Sequence, residues 1–254
     1  GSLSMNQIDG NTFEMGGNTI TLGNGNNVVY GVMDTLNFEI LGSSALGTDS
    51  ITIASIGPAG TAFGLLDEIP ELTDTELANL FNMAGNTITV GKGTNIIYGD
   101  LKTYNASVVG GIADGDSAET ADSMDNYDSS GNPTGGVVMG SNTITADKGT
   151  NTIYGNIGEI NLSTGGQNAI GEEAAGGHSV GALFIAETNV IVAEKGTNTI
   201  YGNMGDVNLI GMGAQLTSGN FATTGSEAFF EGIFSGNQIT SLGGKSTIFG
   251  SLHD

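Results

Sequence analysis

The stretch Asn86-Thr-Ile-Thr-Val-Gly-Lys-Gly-Thr-Asn-Ile-Ile-Tyr-Gly99 decides the fold, because the chain repeats it. Close copies begin at Asn18, Asn142 and Asn189, and a more divergent copy begins at Asn237. The first five residues alternate polar and apolar side chains, which is typical of a strand with one buried face. Glycines then allow the backbone to reverse direction, and a second apolar run follows. Each copy therefore predicts strand, glycine turn and strand.

A third short strand is predicted after each close copy. Another asparagine lies seven residues past each tyrosine, in runs such as Leu36-Asn37-Phe38 and Ile160-Asn161-Leu162. One unit then reads strand, turn, strand, corner, strand, which is one coil of a solenoid. The sequence thus predicts an all-β chain folded as a parallel β-solenoid, of the β-roll or β-helix type.

The equivalent asparagines lie 68, 56, 47 and 48 residues apart, so segments of variable length separate the repeats. Solenoids tolerate such insertions at one corner. We therefore predict one domain over residues 1–254, with about five repeat units and with loop and short-helix excursions between them. The units are 17–43, 85–111, 141–166, 188–213 and 236–250. The excursions are 44–84, 112–140, 167–187 and 214–235.

Three excursions carry more specific predictions. Residues 73–81 begin with a capping box and carry an apolar face, which predicts a short helix. Residues 226–234 contain three phenylalanines that need cover, and they are a second helix candidate. The acidic segment 114–136 is predicted to be a flexible loop or one ordered by calcium.

The charge of the chain restricts its partners. It has 27 acidic residues against five lysines and no arginine, for a formal net charge of −22. Nucleic acid and anionic membranes would be repelled, whereas divalent cations would be attracted. The alternative is an acidic surface that simply keeps the protein solvated. There is no cysteine, and no apolar run is long enough to predict a membrane span. Residues 1–4 lack the basic and apolar regions of a signal peptide.

The turns resemble a known repeat. Gly93-Thr-Asn-Ile-Ile-Tyr-Gly and Gly149-Thr-Asn-Thr-Ile-Tyr-Gly are similar to the nonapeptide Gly-Gly-x-Gly-x-Asp-x-hydrophobic-x of the RTX (repeats-in-toxin, hemolysin-type) family. That family folds as a parallel β-roll and binds calcium between turns, so the resemblance implies the same fold and calcium as a cofactor. The match covers less than half of the chain. The third-glycine position is held by Gly25, Gly93, Gly149 and Gly196, and the inward position by Val29, Ile97, Ile153 and Ile200.

The chain departs from that family where its aspartate would bind calcium. The position holds Asn27, Asn95, Asn151 and Asn198, and Ser246 in the divergent copy. Loss of each carboxylate weakens a site for a hard cation. Stacked asparagines can instead form a hydrogen-bonded ladder, and both interpretations stay open here.

Calcium has further candidate ligands outside the turns. The candidate carboxylates are Asp100, Asp114, Asp116, Asp147 and Glu194. Asp147 and Glu194 each precede a lysine, so ion pairs with the aligned lysines are the alternative interpretation. Those lysines are Lys92, Lys148 and Lys195.

No pattern in the sequence points to an enzyme. Gly177-His-Ser-Val-Gly181 matches a nucleophile elbow, but that motif needs a buried strand before it, and Glu172 and Glu173 precede it here. Without arginine or tryptophan, the chain lacks the usual means of binding acidic sugars or stacking on neutral ones. The aligned tyrosines are predicted to stack on one another at a corner: Tyr30, Tyr98, Tyr154 and Tyr201.

The sequence therefore favours a secreted, extracellular or cell-surface structural protein, such as an adhesin segment or a matrix, surface-layer or fibre subunit. Its expected partners are further copies added end to end or other surface and matrix components. One alternative is a calcium-dependent RTX-like module of a larger secreted protein or polysaccharide-active enzyme. A third is an ice-binding solenoid, since Thr19 with Thr21 and Thr143 with Thr145 are outward Thr-x-Thr pairs.

Overall fold

The computed structural model describes residues 2–5, 12–41, 44–46, 51–56, 80–109, 112–114, 119–124, 136–165, 168–170, 175–211, 215–218 and 223–251. Every regular element in these ranges is a β-strand, and the strands form five parallel sheets. The predicted parallel β-solenoid is therefore confirmed. Among the described residues, nothing forms a helix that could cross a membrane.

The strands succeed one another in coils. An amino-terminal half coil contains β1 (Ser2–Met5) and β2 (Thr12–Glu14). Coil 1 contains β3 (Thr19–Leu22), β4 (Gly25–Tyr30), β5 (Met33–Leu41), β6 (Ser44–Leu46), β7 (Ile51–Ile56) and β8 (Leu80–Asn82). Coil 2 contains β9 (Thr87–Val90), β10 (Gly93–Tyr98), β11 (Leu101–Val109), β12 (Ile112–Asp114), β13 (Glu119–Met124) and β14 (Gly136–Met139). Coil 3 contains β15 (Thr143–Ala146), β16 (Gly149–Tyr154), β17 (Ile157–Gly165), β18 (Asn168–Ile170) and β19 (Ala175–Ala186). Coil 4 contains β20 (Val190–Ala193), β21 (Gly196–Tyr201), β22 (Met204–Gly211), β23 (Gln215–Ser218) and β24 (Thr223–Phe234). A last half coil, coil 5, contains β25 (Gln238–Ser241) and β26 (Gly244–Phe249).

Equivalent strands of successive coils stack into the five sheets, which are numbered here by their order within a coil. Sheet 1 contains β3, β9, β15, β20 and β25, and sheet 2 contains β4, β10, β16, β21 and β26. Sheet 3 contains β1, β5, β11, β17 and β22, and sheet 4 contains β6, β12, β18 and β23. Sheet 5 contains β2, β7, β8, β13, β14, β19 and β24. Equivalent repeat residues face each other, so Asn95 lies between Asn27 and Asn151.

Sheets 1 and 2 enclose a narrow apolar core, and together they are called the wedge. The same residue position supplies the core in coil after coil, which is why the alternating pattern is so regular. Six isoleucines of coils 2 to 4 are fully buried there: Ile88, Ile97, Ile144, Ile153, Ile191 and Ile200. Because successive side chains of a strand point to opposite faces, the intervening threonines face outward.

Sheets 3, 4 and 5 form the second part of each coil, called the lobe. Its core is larger and more varied, with methionine and aromatic side chains between sheets 3 and 5. Tyr104 meets Phe184 edge to face, with ring centroids 5.1 Å apart. The lobe therefore fills its volume with different residues in each coil.

The described parts of the excursions are strands of the lobe. Coils 3 and 4 each have one continuous strand in sheet 5, whereas coils 1 and 2 have two strands separated by an insertion. Two rows of paired residues mark where the insertion begins and ends: Ile56, Met124 and Val180 before it, and Phe81, Val137 and Phe184 after it.

These rows account for the irregular spacing of the repeats. The passage takes residues 181–183 in coil 3, residues 57–80 in coil 1 and residues 125–136 in coil 2, or 3, 24 and 12 residues. Coils 1 and 2 are thus longer by 21 and 9 residues, as the spacings of 68 and 56 exceed 47. A one-residue register shift between β18 and β23 explains the spacing of 48. All four spacings reduce to one 47-residue coil.

The helix predicted over residues 226–234 is wrong, because these residues belong to β24. Phe230 and Phe234 are four residues apart, which suits a helix and also suits every second inward position of a strand. Both rings pack against the lobe core, and a side chain on Gly232 would overlap them. The helix predicted over residues 73–81 lies mostly outside the described residues, and Leu80 and Phe81 belong to β8. Within the acidic segment 114–136, residues 119–124 form β13.

Candidate functional site

The asparagines of the RTX-like turns form a ladder along the wedge. Asn27 Nδ2 donates to Asn95 Oδ1 at 2.8 Å, Asn95 to Asn151 at 2.8 Å, and Asn151 to Asn198 at 2.9 Å. The second N–H of each amide donates to the carbonyl oxygen four residues earlier, at 2.9 to 3.2 Å. Asn95, Asn151 and Asn198 are buried. Both N–H groups and the oxygen of each inner amide are therefore used within the stack.

A second ladder lies at the waist between wedge and lobe, and sequence reasoning did not assign it. The backbone N–H of the first repeat asparagine donates to the side-chain oxygen of its equivalent in the next coil. For Asn86 and Asn142 this distance is 2.8 Å. Each side-chain amide also donates to the glycine carbonyl thirteen residues later, as Asn86 does to Gly99 at 3.0 Å. The ladder thus ties the strand entering sheet 1 to the corner leaving sheet 2, in the sequence Asn18, Asn86, Asn142, Asn189 and Asn237.

Asp100 lies inside this waist and is completely buried. Its Oδ1 accepts from Asn86 Nδ2 at 2.7 Å, and its Oδ2 accepts from the backbone N–H of Gly140 at 2.9 Å. A further hydrogen bond comes from the Asn142 side chain. Burial raises the pKa of the Asp100 carboxyl well above its usual range, although these three hydrogen bonds oppose the shift.

The equivalent positions in coils 3 and 4 hold Asn156 and Asn203, which are also fully buried. Each accepts an amide proton from a waist asparagine, and Asn189 Nδ2 lies 2.6 Å from Asn156 Oδ1. Each also has a buried N–H for which the described residues offer no acceptor. The carboxyl of Asp100 has no such N–H and accepts from Gly140 instead. The sequence signal for this site is the residue after each Tyr-Gly pair, compared across coils.

The glycine of each Tyr-Gly pair is required by close stacking between coils. A Cβ on Gly99 would overlap the carbonyl oxygen of Gly155, and the same holds for each glycine against the next one. In the last half coil, a Cβ on Gly250 would meet nothing within 4 Å. The stacking restraint therefore acts through contact with the following coil.

The aligned tyrosines form one continuous stack on sheet 2. Ring centroids of Tyr98 and Tyr154 are 4.9 Å apart, and those of Tyr154 and Tyr201 are 4.6 Å apart, with interplanar angles of 6° and 3°. Tyr30 and Phe249 extend the stack at its two ends. Burial, reinforced by the neighbouring Tyr201, raises the pKa of Tyr154 to about 12. The rings stabilise the stack of coils and stay neutral at physiological pH.

A third ladder runs along the outside of sheet 3, in the opposite direction. Asn208 donates to Asn161, Asn161 to Asn105 and Asn105 to Asn37, at 2.7 to 2.9 Å. These amides are half-buried or exposed. This ladder competes with water, so each of its bonds contributes less than a bond of the buried ladders.

The five carboxylates predicted as calcium ligands do not converge in the described residues. Asp100 is buried at the waist, whereas Asp147 and Glu194 lie at the turn edge of the wedge. Asp114 ends β12, and Asp116 lies outside the described residues. In the ranges that the structure describes, no three His, Cys, Asp or Glu side chains are grouped as a metal site requires. Calcium binding stays a prediction.

The predicted lysine pairs of Asp147 and Glu194 are not present in the described part of the chain. Asp147 Oδ1 instead accepts from the backbone N–H of Lys148 at 2.6 Å, which closes its own turn. The ion pair that the structure contains joins Lys102 and Asp34 at 3.2 Å. Residues 177–181, which match the nucleophile elbow, lie inside the continuous strand β19. The turn between strand and helix that such an elbow needs is therefore not formed there.

Comparison with known proteins gives no relative on which to base a function. No family model, no curated protein and no solved structure matches this chain.

Proposed function

We propose that the protein is a secreted structural or adhesive solenoid, a subunit of an extracellular matrix, surface layer or fibre. The observation that carries the proposal is the use of the repeated polar residues. The turn asparagines, the waist asparagines, the Tyr-Gly glycines and the tyrosines all contact the next coil. A repeat whose residues serve stacking is typical of proteins selected for a stiff rod, since each coil stabilises its neighbours.

The charge fits the same role. With 27 acidic residues and a formal net charge of −22, the rod stays dispersed until salt or divalent cations screen it. Such a protein would assemble in a medium of high ionic strength rather than during synthesis. Calcium would act here by screening or by bridging carboxylates, and the RTX-like turns would need no ion because their amides bond to each other.

Localisation tests this proposal. Antibodies raised against the purified protein should label intact, unpermeabilised cells of the producing organism or the material around them. A cytosolic protein probed in parallel serves as the control for leakage. Disruption of the coding sequence should weaken attachment or cohesion of the cells. Label that appears only after permeabilisation would contradict the proposal.

The outward threonines favour ice binding as a second candidate function. Thr87 lies beside Thr143 and Thr89 beside Thr145, so two regular rows of hydroxyl and methyl groups cover sheet 1. Val190 and Val192 continue these rows in coil 4. Thermal hysteresis of the purified protein measures this activity directly. A Thr89→Lys, Thr145→Lys double variant should abolish it, and absence of hysteresis in the unchanged protein would dismiss the candidate.

A further inference from the structure

The two ends of the described stack are different halves of a coil. Sheets 1 and 2 extend one strand beyond coil 4, as β25 and β26, and sheet 3 ends there at β22. At the opposite end, sheets 3 and 5 extend one strand beyond coil 1, as β1 and β2, and sheets 1 and 2 end at β3 and β4. One end thus presents a wedge half and the other a lobe half, and the two halves together make one coil.

The coil 5 end exposes side chains from positions that are buried elsewhere. Ile248 is 46% exposed, although the aligned Ile200 is fully buried. Leu209 is 48% exposed, although the aligned Leu162 is fully buried. Apolar side chains at such positions favour a cover over them.

The ladders end with a donor at one end and an acceptor at the other. Within the stack, a waist asparagine donates its backbone N–H to Oδ1 of the following coil. By this rule the backbone N–H of Asn237 is the next donor, and Asn18 Oδ1 is the first acceptor. In the turn ladder Asn27 Oδ1 is likewise the first acceptor, and the Ser246 hydroxyl occupies the place of the next donor. A polar ladder of this kind joins another copy in one direction only.

We propose that copies of this chain join end to end through a lap joint, in which coil 5 of one molecule stacks on coil 1 of the next. The amino-terminal β1 and β2 of the second molecule would then complete the layer of coil 5. The register of β1 on β5 places Leu3 and Met5 in line with Val207 and Leu209 of the first molecule. Phe249 would stack on Tyr30 of the second molecule. This inference rests on the structural role proposed above and names its partner as a second copy.

The joint predicts a specific repeat. Each molecule contributes five layers, because the half coils at a joint share one layer. Strands in a sheet lie about 4.8 Å apart, so each molecule should advance the fibre by roughly 24 Å. Repulsion between acidic copies opposes the joint, and salt should promote it because the Debye length falls to about 3 Å at 1 M ionic strength.

The experiment compares three variants of the whole 254-residue chain by sedimentation velocity at high salt. Gly250→Ala places a methyl group where Gly31 of the next copy would stack, and it meets nothing within its own chain. It should keep the melting temperature and lose association. Gly236→Ala is the matched control in the same half coil, because the aligned Ser141 and Thr188 carry side chains there. Ser246→Asn supplies an amide donor for Asn27 and should tighten association by about fivefold, the effect of one net hydrogen bond.

Each outcome decides the proposal. Concentration-dependent association of the unchanged protein, lost in Gly250→Ala and kept in Gly236→Ala, is the expected result, with the axial rise visible by electron microscopy. A monomer under all conditions would overturn the joint, and so would equal association of both glycine variants, which would indicate lateral contact. Because the assay uses purified protein, a chain that joins but is found inside cells would contradict only the proposed function.

Discussion

The wedge and the lobe of each coil are built under different restraints. In the wedge, the same residues recur at the same positions, and both faces of every buried amide are used by neighbouring coils. In the lobe, the core residues change from coil to coil, and two coils accept insertions of 21 and 9 residues. The contrast teaches that the repeat records contacts along the stack, whereas a core filled by varied side chains needs only suitable volume.

The largest effect should come from closing the space between coils of the wedge. Gly99→Ala puts a methyl group on the carbonyl oxygen of Gly155, and two coils must separate to admit it. We expect a loss of at least about 3 kcal/mol in the free energy of unfolding, measured by chemical denaturation. Gly250→Ala is the control at the same repeat position and should change the monomer little. Equal effects of the two substitutions would show that stacking does not restrain this glycine.

Removal of one amide from each side of the coil should give the next largest difference. Asn151→Ala leaves Asn95 Nδ2, Asn198 Oδ1 and the carbonyl of Asp147 buried without partners, at a cost of about 2 to 4 kcal/mol. Asn161→Ala breaks the outer ladder of the same coil, where water replaces the lost bonds, and should cost about 1 kcal/mol or less. Chemical denaturation of the two variants gives the comparison. A larger cost for Asn161→Ala would reverse the assignment of the buried ladder.

The waist between wedge and lobe should respond to pH through Asp100. Its folded pKa is raised, so the folded chain binds this proton more tightly than the unfolded chain does. The resulting stability is fully present below the unfolded pKa of about 3.9 and is lost as pH rises through the folded pKa. Asp100→Asn should therefore gain on the unchanged protein between acidic and neutral pH. Melting temperatures across this range check it, and a constant difference would exclude Asp100 as the titrating group.

The smallest effect should come from shortening the lobe insertion. Replacing residues 57–80 by Gly-Ala-Leu, the residues that coil 3 has at 181–183, converts coil 1 to the 47-residue length. Loop closure depends weakly on length, so stability should change by about 1 kcal/mol or less. Circular dichroism should keep its β signal per residue. A variant that unfolds would show that the insertion holds Ile56 and Phe81 in register.

Much of the wedge could be predicted from sequence, and little of the lobe could. Ile88 with its flanking threonines displays the alternation of a half-buried strand, and the same pattern in four other copies supports it. β19 contains few β-branched residues and several glycines, so no comparable signal marks it. β24 was mistaken for a helix because its phenylalanine spacing fits both periods.

The candidate site divides in the same way. The asparagines of the RTX-like turns stand out by repetition, because every coil has one. Asp100 does not, since its coil equivalents are Val32, Asn156 and Asn203 and its burial depends on the fold around it. Composition therefore placed it among exposed acidic residues, where most carboxylates lie.

The central claim is that every coil adds one layer, whatever the length of its insertion. The protein has no cysteine, so spin labels can be placed at Asn26→Cys and Lys245→Cys, exposed and four coils apart on sheet 2. Double electron–electron resonance on dilute protein measures the distance between them. Four layers of about 4.8 Å predict a narrow distribution of backbone separation near 19 Å, widened only by the label arms. A broad distribution, or a distance beyond about twice that value, would contradict the stacked solenoid.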